Sequence, residues 1–401
     1  MLELAEAQER ILAALRPLPA ELVALAAERA QGRFLAEAVA APISLPPFDN
    51  SAMDGYAVRA ADVTAASIES PSQLRCIGAV PAGSTYSREV PPGACIRIFT
   101  GSPMPAGADA VAMQEDTRVA SSIVEVLDAV KPWENVRLAG QDIKQGAIAA
   151  RAGERLSGGR MALLAALGVA QVSAARQPVI GILSTGSELI EPGSALAPGQ
   201  IYESNRVALS PLIGAAGGIA RALPLVRDNM DETRAALRST LDECDAVLTT
   251  GGVSVGEHDL VKAAFESLGG SLEFWKVNVK PGKPFVFGRR GEKFLFGLPG
   301  NPVSAFVTFL LLVRPAILKM QGAMDVHLPL HPAVLGEDFQ NRGARRHFVR
   351  VEVDEAGVVR STGLQASHAL NSLAAANGLL DMPARTSWEA GRAANVLRWE
   401  M

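Results

Sequence analysis

Cysteine is scarce in this 401-residue chain: Cys76, Cys95 and Cys244 stand alone, with no C-x-x-C pair. That excludes a disulfide framework and a cysteine zinc knuckle. Aromatic residues make up 5%, too few for a base-stacking platform. Neither sign of charge prevails; the formal net charge of −4 gives no electrostatic footprint for nucleic acid. An apolar leader is missing too, since Glu3, Glu6, Glu9 and Arg10 occupy the start. The longest apolar run, 305–313, ends at Arg314 and is too short to cross a bilayer. The expectation is a cytoplasmic protein with no nucleic-acid partner and no membrane. Its length implies two to four domains, and its hydrophobic (48%) and charged (20%) fractions suit ordinary packed cores.

What is present centres on residues 245–270. Ala246, Val247 and Leu248 read as a buried parallel strand. Thr249-Thr250-Gly251-Gly252 then allows a sharp turn and close approach to a ligand. Beyond Asp259, residues Leu260, Val261, Ala264, Phe265 and Leu268 share a helical face, and Gly269 stops it. A strand, glycine loop and helix in this order suit an anion at the carboxyl edge of a parallel sheet. The spacing from Gly251 to Gly256 is that of a P-loop, but Glu257-His258 replaces the Lys-Ser/Thr pair, so that reading fails. Gly252 to Gly256 also spells G-x-S-x-G. Ser254 as the nucleophile of a hydrolase therefore stays open.

Along the chain, 2–15 reads as an amphipathic helix and 20–39 as a second one ending before Pro42. Residues 43–47 form a proline-studded connector into 46–58, a polar run containing Asp54 that is costly unless it binds something. Short β segments follow at 95–99, 110–113 and 123–130, with a rigid loop at Thr100 and a polar turn at Asp142. Ser157 caps a helix to Leu167. From 178 to 326, strand and helix alternate in a doubly wound pattern: strand 179–183, a hydroxyl turn leading to Glu188, helix 201–216, strand 223–226 into Asp228, and a helix capped by Asn229. Strand 272–277 leads to Lys276, Lys280 and Lys283, with Lys276 and Lys280 on one face if the strand persists. A hairpin surrounds 288–291, and Asn301-Pro302 starts a long helix. From His327 the texture is β. There Arg345 and Arg346 read as solvated, Arg350 as a further cation, and Ser367 as part of a polar loop.

Hydroxyl and glycine turns, three lysines and a helix start together suit phosphate or another oxyanion. Carboxylates beside them (Glu188, Asp228, Asp259) would repel it unless a divalent cation bridges the two. Mg²⁺ does this with one or two carboxylates plus substrate oxygens.

Six stretches in this order, FDNSAMDGYAV, TGSPMPAGADAVAMQED, STGSEL, TTGGVSVGEHD, WKVNVKPGKPFVFG and GLPGNPVSA, resemble the molybdopterin molybdenumtransferase family, which includes MoeA and the gephyrin E-domain. The resemblance spans nearly the whole chain, most loosely at its C-terminal end. It implies a multidomain α/β plus β fold. The expected parts are an elongated helical linker domain in two segments (1–45 and 141–177), an inserted β-rich domain (46–140), a doubly wound MogA-like α/β domain (178–326) and a C-terminal β-barrel (327–401). It also implies a homodimer with shared active sites, Mg²⁺ as cofactor, and molybdate and adenylylated molybdopterin as substrates, with AMP released. A molybdopterin adenylyltransferase and cofactor-receiving molybdoenzymes are the implied partners.

By motif, Asp54, Thr100 and Asp142 would come from one subunit, and Glu188, Asp228, Asp259, Lys276 and Lys280 from the other, with Arg350 and Ser367 on the last domain. Asp228 and Asp259 are assigned to Mg²⁺. Lys276, Lys280, Arg350 and Ser367 are assigned to molybdate, and Gly251, Gly252, Ser254, Lys283, Asn301 and Pro302 to binding the nucleotide-bearing substrate. Either Asp142 or Glu188 would orient water. The chain departs from the family pattern at Ser187, His258 and Ala366, none of which carries an assigned role. A scaffolding member of the family would be expected to carry a fused domain and linker; none is read in these residues, so scaffolding is not the expected role.

Overall fold

A computed structural model of the chain describes residues 1–252 and 260–399. The candidates Ser254 and Asp259 lie outside the described residues.

Runs of apolar residues at 179–184 and 246–250 form adjacent inner strands of a six-stranded sheet. Its order is Ile219–Ala222, Val179–Ser184, Ala246–Thr250, Lys293–Leu298, Pro284–Arg290 and Ser271–Lys276. The first four strands are parallel, Pro284–Arg290 runs against them, and Ser271–Lys276 pairs antiparallel to it at the edge. Period-two alternation sends Ala246, Leu248, Phe294 and Phe296 to one face, against helices Leu4–Ala14, Asn205–Ala215 and Pro302–Met320. Val247, Leu295 and Val286 face the other side, against Met230–Glu243 and Leu260–Ser267. This is the doubly wound arrangement expected. Phe274, Phe287 and Phe296 form a ring ladder across three strands, with centroids 5.8 and 5.4 Å apart. Each such ring contributes roughly 1.5–3 kcal/mol by burial. The ladder therefore anchors the antiparallel edge that carries the lysines.

The inserted unit is a second six-stranded sheet, ordered Ala110–Met113, Gly55–Val58, Ala94–Ile98, Ser72–Val80, Ile123–Val126 and Thr117–Ala120. Tyr56, Val58 and Cys95 pack on one face, and Ala57, Ile96 and Ile98 on the other. At Gly55 a Cβ would stand 2.0 Å from the Ala112 carbonyl oxygen, so the strand pair closes only over glycine. In the C-terminal region, five strands (Arg346–Val353, Val358–Ser361, Leu330–Leu335, Ala393–Arg398, Gly378–Met382) close into a barrel through the pairing of the last with the first. The barrel joins the α/β core through Phe348, Leu379 and Trp399, the last edge-on to Phe306.

Several local expectations are corrected. The helix read at 20–39 is absent. Ala20–Ala24 is a strand paired antiparallel to Gln171–Ala175, followed by a 3₁₀ turn at Glu28–Ala30 and a left-handed Gly32. The helical spacing of alanine and leucine there is overridden by pairing that buries Val23. The helix read from 201 begins at Asn205, after a two-residue strand, Ile201–Tyr202. The edge strand read at 223–226 lies earlier, at Ile219–Ala222, with only a bridge from Val226 to Thr185. Pro302–Met320 is longer than the apolar run suggested and long enough to cross a membrane, but 89% of it is buried inside the protein, where it serves as a core helix.

Candidate active site

Three parallel strands end side by side in polar turns. Ser184 Oγ lies 2.8 Å from Thr250 Oγ1, and the Thr185 N–H donates to the Thr250 carbonyl. Gly251 (φ 86°) and Gly252 (φ 62°) take left-handed conformations, and a Cβ on Gly251 would meet the Thr185 oxygen at 2.6 Å. Gly300 lies in the turn after the third strand, where a Cβ would meet the Gly251 Cα at 3.6 Å, and its carbonyl accepts from Asn205 Nδ2 at 2.9 Å. Among the described residues, Thr185 Oγ1 and Thr249 Oγ1 are buried with no protein partner, so the turns keep hydrogen-bonding capacity in reserve. Two carboxylates stand at this edge, both exposed: Glu188 and Asp228. Asp228 Oδ2 accepts from the Ser187 N–H (3.1 Å), and its own N–H donates to Ser187 Oγ (3.2 Å). This reciprocal clasp fixes the backbone of both turns, and among the described residues the second Asp228 oxygen accepts no bond. Among the described residues no cluster of three or more His, Cys, Asp or Glu could hold a metal ion by itself. A divalent cation can be held by one or two carboxylates when an anionic ligand completes its shell, and Asp228 could serve as one such carboxylate.

The cations lie where the α/β unit meets the barrel. The strand holding Lys276 does not persist. It ends there, Val277 and Asn278 form a tight turn (Val279 N–H to Val277 O, 2.9 Å), and Val279–Lys280 pairs with barrel strand Arg346–Val353 instead. Lys276 and Lys280 thus belong to different sheets. Both are partly exposed, Lys283 is exposed, and Pro302 is partly exposed at the helix start. Along the barrel strand, Val349, Val351 and Val353 point into the barrel, whereas Phe348 packs in the core shared with the α/β unit. Alternation puts Arg350 on the Phe348 side. Arg350 is 0% exposed. Its Nε donates to Ser372 Oγ (2.9 Å) and Nη2 to the Leu364 and Ala366 carbonyls (2.7 and 3.2 Å), while Nη1 has no partner among the described residues. Burial alone holds its pKa below the usual guanidinium range. The 364–366 loop it supports leads to Ser367, whose Oγ accepts from Asn301 Nδ2 at 3.2 Å. Asn301 therefore does not cap its helix with its side chain as expected; it ties the helix start to the barrel. Arg345 and Arg346 are not simply solvated. Arg345 donates to the Val279 carbonyl (2.9 Å), and Arg346 forms a two-pronged pair with Asp381 (2.6 and 2.5 Å).

In the inserted unit, Asp54 and Thr100 come together. The Thr100 N–H and hydroxyl both donate to Asp54 Oδ1, at 2.8 and 2.9 Å. These two bonds, backbone first, hold the Asp54 carboxyl below its ordinary pKa, with Arg97 adding a smaller pull. Asp142 is exposed, on the connector where its N–H donates to the Leu45 carbonyl (3.0 Å). Among the described residues, no hydrogen bond or ion pair within the chain links Asp54, Thr100 or Asp142 to the sheet-edge acids or the lysines.

Family models described as "MoeA N-terminal region (domain I and II)", "Probable molybdopterin binding domain" and "MoeA C-terminal region (domain IV)" match residues 2–168, 181–319 and 332–399. The chain is 39% identical over 383 residues to a molybdopterin molybdenumtransferase of Haemophilus influenzae, covering 94% of this chain and 93% of that protein. It is 38% identical to molybdopterin molybdenumtransferase 2 of Mycobacterium tuberculosis, covering 93% and 92%. The chain belongs to the molybdopterin molybdenumtransferase family. A crystal structure of a molybdopterin biosynthesis MoeA protein from Pyrococcus horikoshii superposes over the full length of both chains, with a TM-score of 0.87 and 32% identity.

In this member of the molybdopterin molybdenumtransferase family, a buried network beneath the turns was missed by sequence reasoning. Glu203, 2% exposed, accepts from Ser184 Oγ (3.1 Å) and from the Arg206 N–H and Nε (2.8 and 3.2 Å), and Arg206 Nη2 reaches Glu191 at 2.6 Å. The network joins two of the strand ends to the start of the Asn205–Ala215 helix. The local sequence, Glu203-Ser-Asn-Arg, reads as an ordinary helix start and carries no signal of it.

Proposed function

We propose that the chain inserts molybdenum from molybdate into adenylylated molybdopterin and releases AMP, giving molybdenum cofactor. The observation that carries this reading is Arg350: a fully buried guanidinium that, among the described residues, has no carboxylate against it and one unpartnered nitrogen, and that supports the loop leading to Ser367, itself bonded to Asn301. A buried cation without a counter-charge costs several kcal/mol, roughly, unless an anion meets it. Molybdate is a dianion of suitable size, and Lys276, Lys280, Arg350 and Ser367 would hold it by charge-assisted hydrogen bonds. Gly251, Gly252, the Asn301-Pro302 helix start and Lys283 would take the phosphates of the adenylylated pterin.

Asp228, with Asp259, would hold Mg²⁺. Bound there, Mg²⁺ supplies the charge neutralisation that phosphoanhydride cleavage needs. Asp142 or Glu188 orients the water that splits adenylate from the molybdopterin phosphate. Asp54, kept ionised and aimed by Thr100, faces the sheet edge of a second subunit in a homodimer with shared sites. The substrate is an activated adenylate, so an adenylyltransferase hands it over and molybdoenzymes take the product.

The test supplies the full chain with adenylylated molybdopterin, molybdate and Mg²⁺. Molybdenum cofactor and AMP are expected in equal amounts, with cofactor yield lost when molybdate is left out. AMP release without a molybdenum product would refute the insertion step. A dimer mixing Asp54→Ala and Asp228→Ala subunits is expected to recover part of the activity that each homodimer lacks. No recovery in a verified mixed dimer removes the shared site.

A further inference from the structure

Two adjoining cavities, of about 430 and 370 Å³, lie on another part of the molecule and share a wall of Arg155, Arg314, Ala215 and Ala216. The Asn205–Ala215 helix starts at the candidate active site, through the Asn205–Gly300 bond, and its far end forms this wall. Eleven helical residues separate the two places by about 16 Å.

The lining is strongly cationic. Arg155, Arg160, Arg314 and Arg398 face two carboxylates, Glu154 and Asp325. Glu154 is already committed to Arg160 (3.2 Å) and accepts the Arg151 N–H (2.9 Å). Among the described residues, Arg314 donates one bond to protein, Nη1 to the Val326 carbonyl at 2.9 Å. Burial, and then the charge of Arg155, hold its basicity below the usual guanidinium range. Two arginines that repel each other across a cavity wall, one of them largely buried, are stable together when an anion sits between them.

We propose that this arginine-lined cavity is a second anion site, distinct from the candidate active site, that takes a small polyanion of the phosphate class. Planar guanidiniums from three parts of the fold converge on it: Arg155 from the 151–160 segment, Arg314 from the long core helix, and Arg398 from the last barrel strand. Guanidinium forks match phosphate oxygens in pairs, which an isolated surface lysine does not do. An occupant would bridge the three units and brace the far end of the helix whose start holds Gly300.

Titration calorimetry with inorganic pyrophosphate tests this on the full-length chain carrying Arg350→Met, which weakens the candidate active site as a competing anion site. Saturable binding is expected, at least tenfold weaker when Arg155→Glu is added. Arg155 is exposed, and its one side-chain bond is a long contact to the Gly32 carbonyl (3.4 Å), so the change should leave the fold intact. Arg398→Glu, from a different strand, is expected to give the same loss and guards against a local effect at Arg155. No saturable binding, or binding unchanged by both substitutions, overturns the proposal. So does loss of the dimer in Arg155→Glu without any pyrophosphate site, which would assign the arginines to a subunit contact. Molybdenum insertion by chains carrying only Arg155→Glu or Arg398→Glu reports on the active-site reading separately.

Discussion

Arg350 brings a charge into a fully buried position and finds three neutral acceptors there. Each of those bonds is worth roughly 1 kcal/mol net, whereas the desolvation of the unpaired charge costs several. Stability alone therefore does not favour the arginine. Arg350→Met is expected to change the unfolding free energy by no more than about 1 kcal/mol while lowering molybdenum insertion at least tenfold. Denaturant unfolding and the insertion assay read the two effects apart. A large stability loss with a proportionate activity loss would make the residue structural. Lys280 lies in one of the six motifs, whereas Arg350 and Ser367 lie beyond them and were assigned only by the looser resemblance of the C-terminal region. Their assembly could not be read from sequence, because the Val279–Lys280 strand leaves its sheet to join the barrel, and hydrophobic pattern does not record such a departure. The Asn301–Ser367 contact was hidden for the same reason.

At the scale of elements, Gly251 and Gly252 after the central strand let the chain pass close to the Thr185 turn in a left-handed conformation. Gly251→Ala would force a side chain into a left-handed backbone and against the Thr185 oxygen. A cost of about 1–3 kcal/mol is expected, together with displacement of the Ser184–Gly186 turn and reduced activity. A crystal structure in which that turn has not moved would contradict the reasoning. At the Met230–Glu243 helix, Asn229 Oδ1 accepts from the Asp231 and Glu232 N–H groups at 2.9 and 3.1 Å. Asn229→Ala should lower stability by about 1 kcal/mol, measured by denaturant midpoint, with no change in substrate affinity. The inner strands of the α/β sheet, the hairpin and the two capped helices were legible because their periodicity and caps agree with their packing, whereas the edge strand Ile219–Ala222 was read a few residues late. The 20–39 segment was not: its alanine-rich spacing favours a helix, and only pairing with Gln171–Ala175, nearly 150 residues away, decides otherwise.

For the whole molecule, the barrel and the α/β unit share one core, so the site between them depends on both. His347, 5% exposed at the inner end of the barrel, links their stability to pH. Burial, then the charges of Lys280, Arg350 and Arg345, push its pKa down to about 4. The unfolded chain therefore takes up the proton first as pH falls. The associated stability is complete above about pH 6.5 and is lost between there and about pH 4, on the order of 3 kcal/mol. His347→Gln should flatten the dependence of the unfolding midpoint on pH across that window, and equal slopes in both proteins would contradict it.

The most direct test of the whole account is equilibrium binding of molybdate to the full chain, compared with Arg350→Met. The arrangement of Lys276, Lys280, Arg350 and Ser367 predicts saturable molybdate binding by the native chain, weakened at least tenfold (about 1.4 kcal/mol) by the substitution. Equal affinity in the two proteins would show that the buried arginine and its loop do not hold the oxyanion, and the proposed site would have to be placed elsewhere.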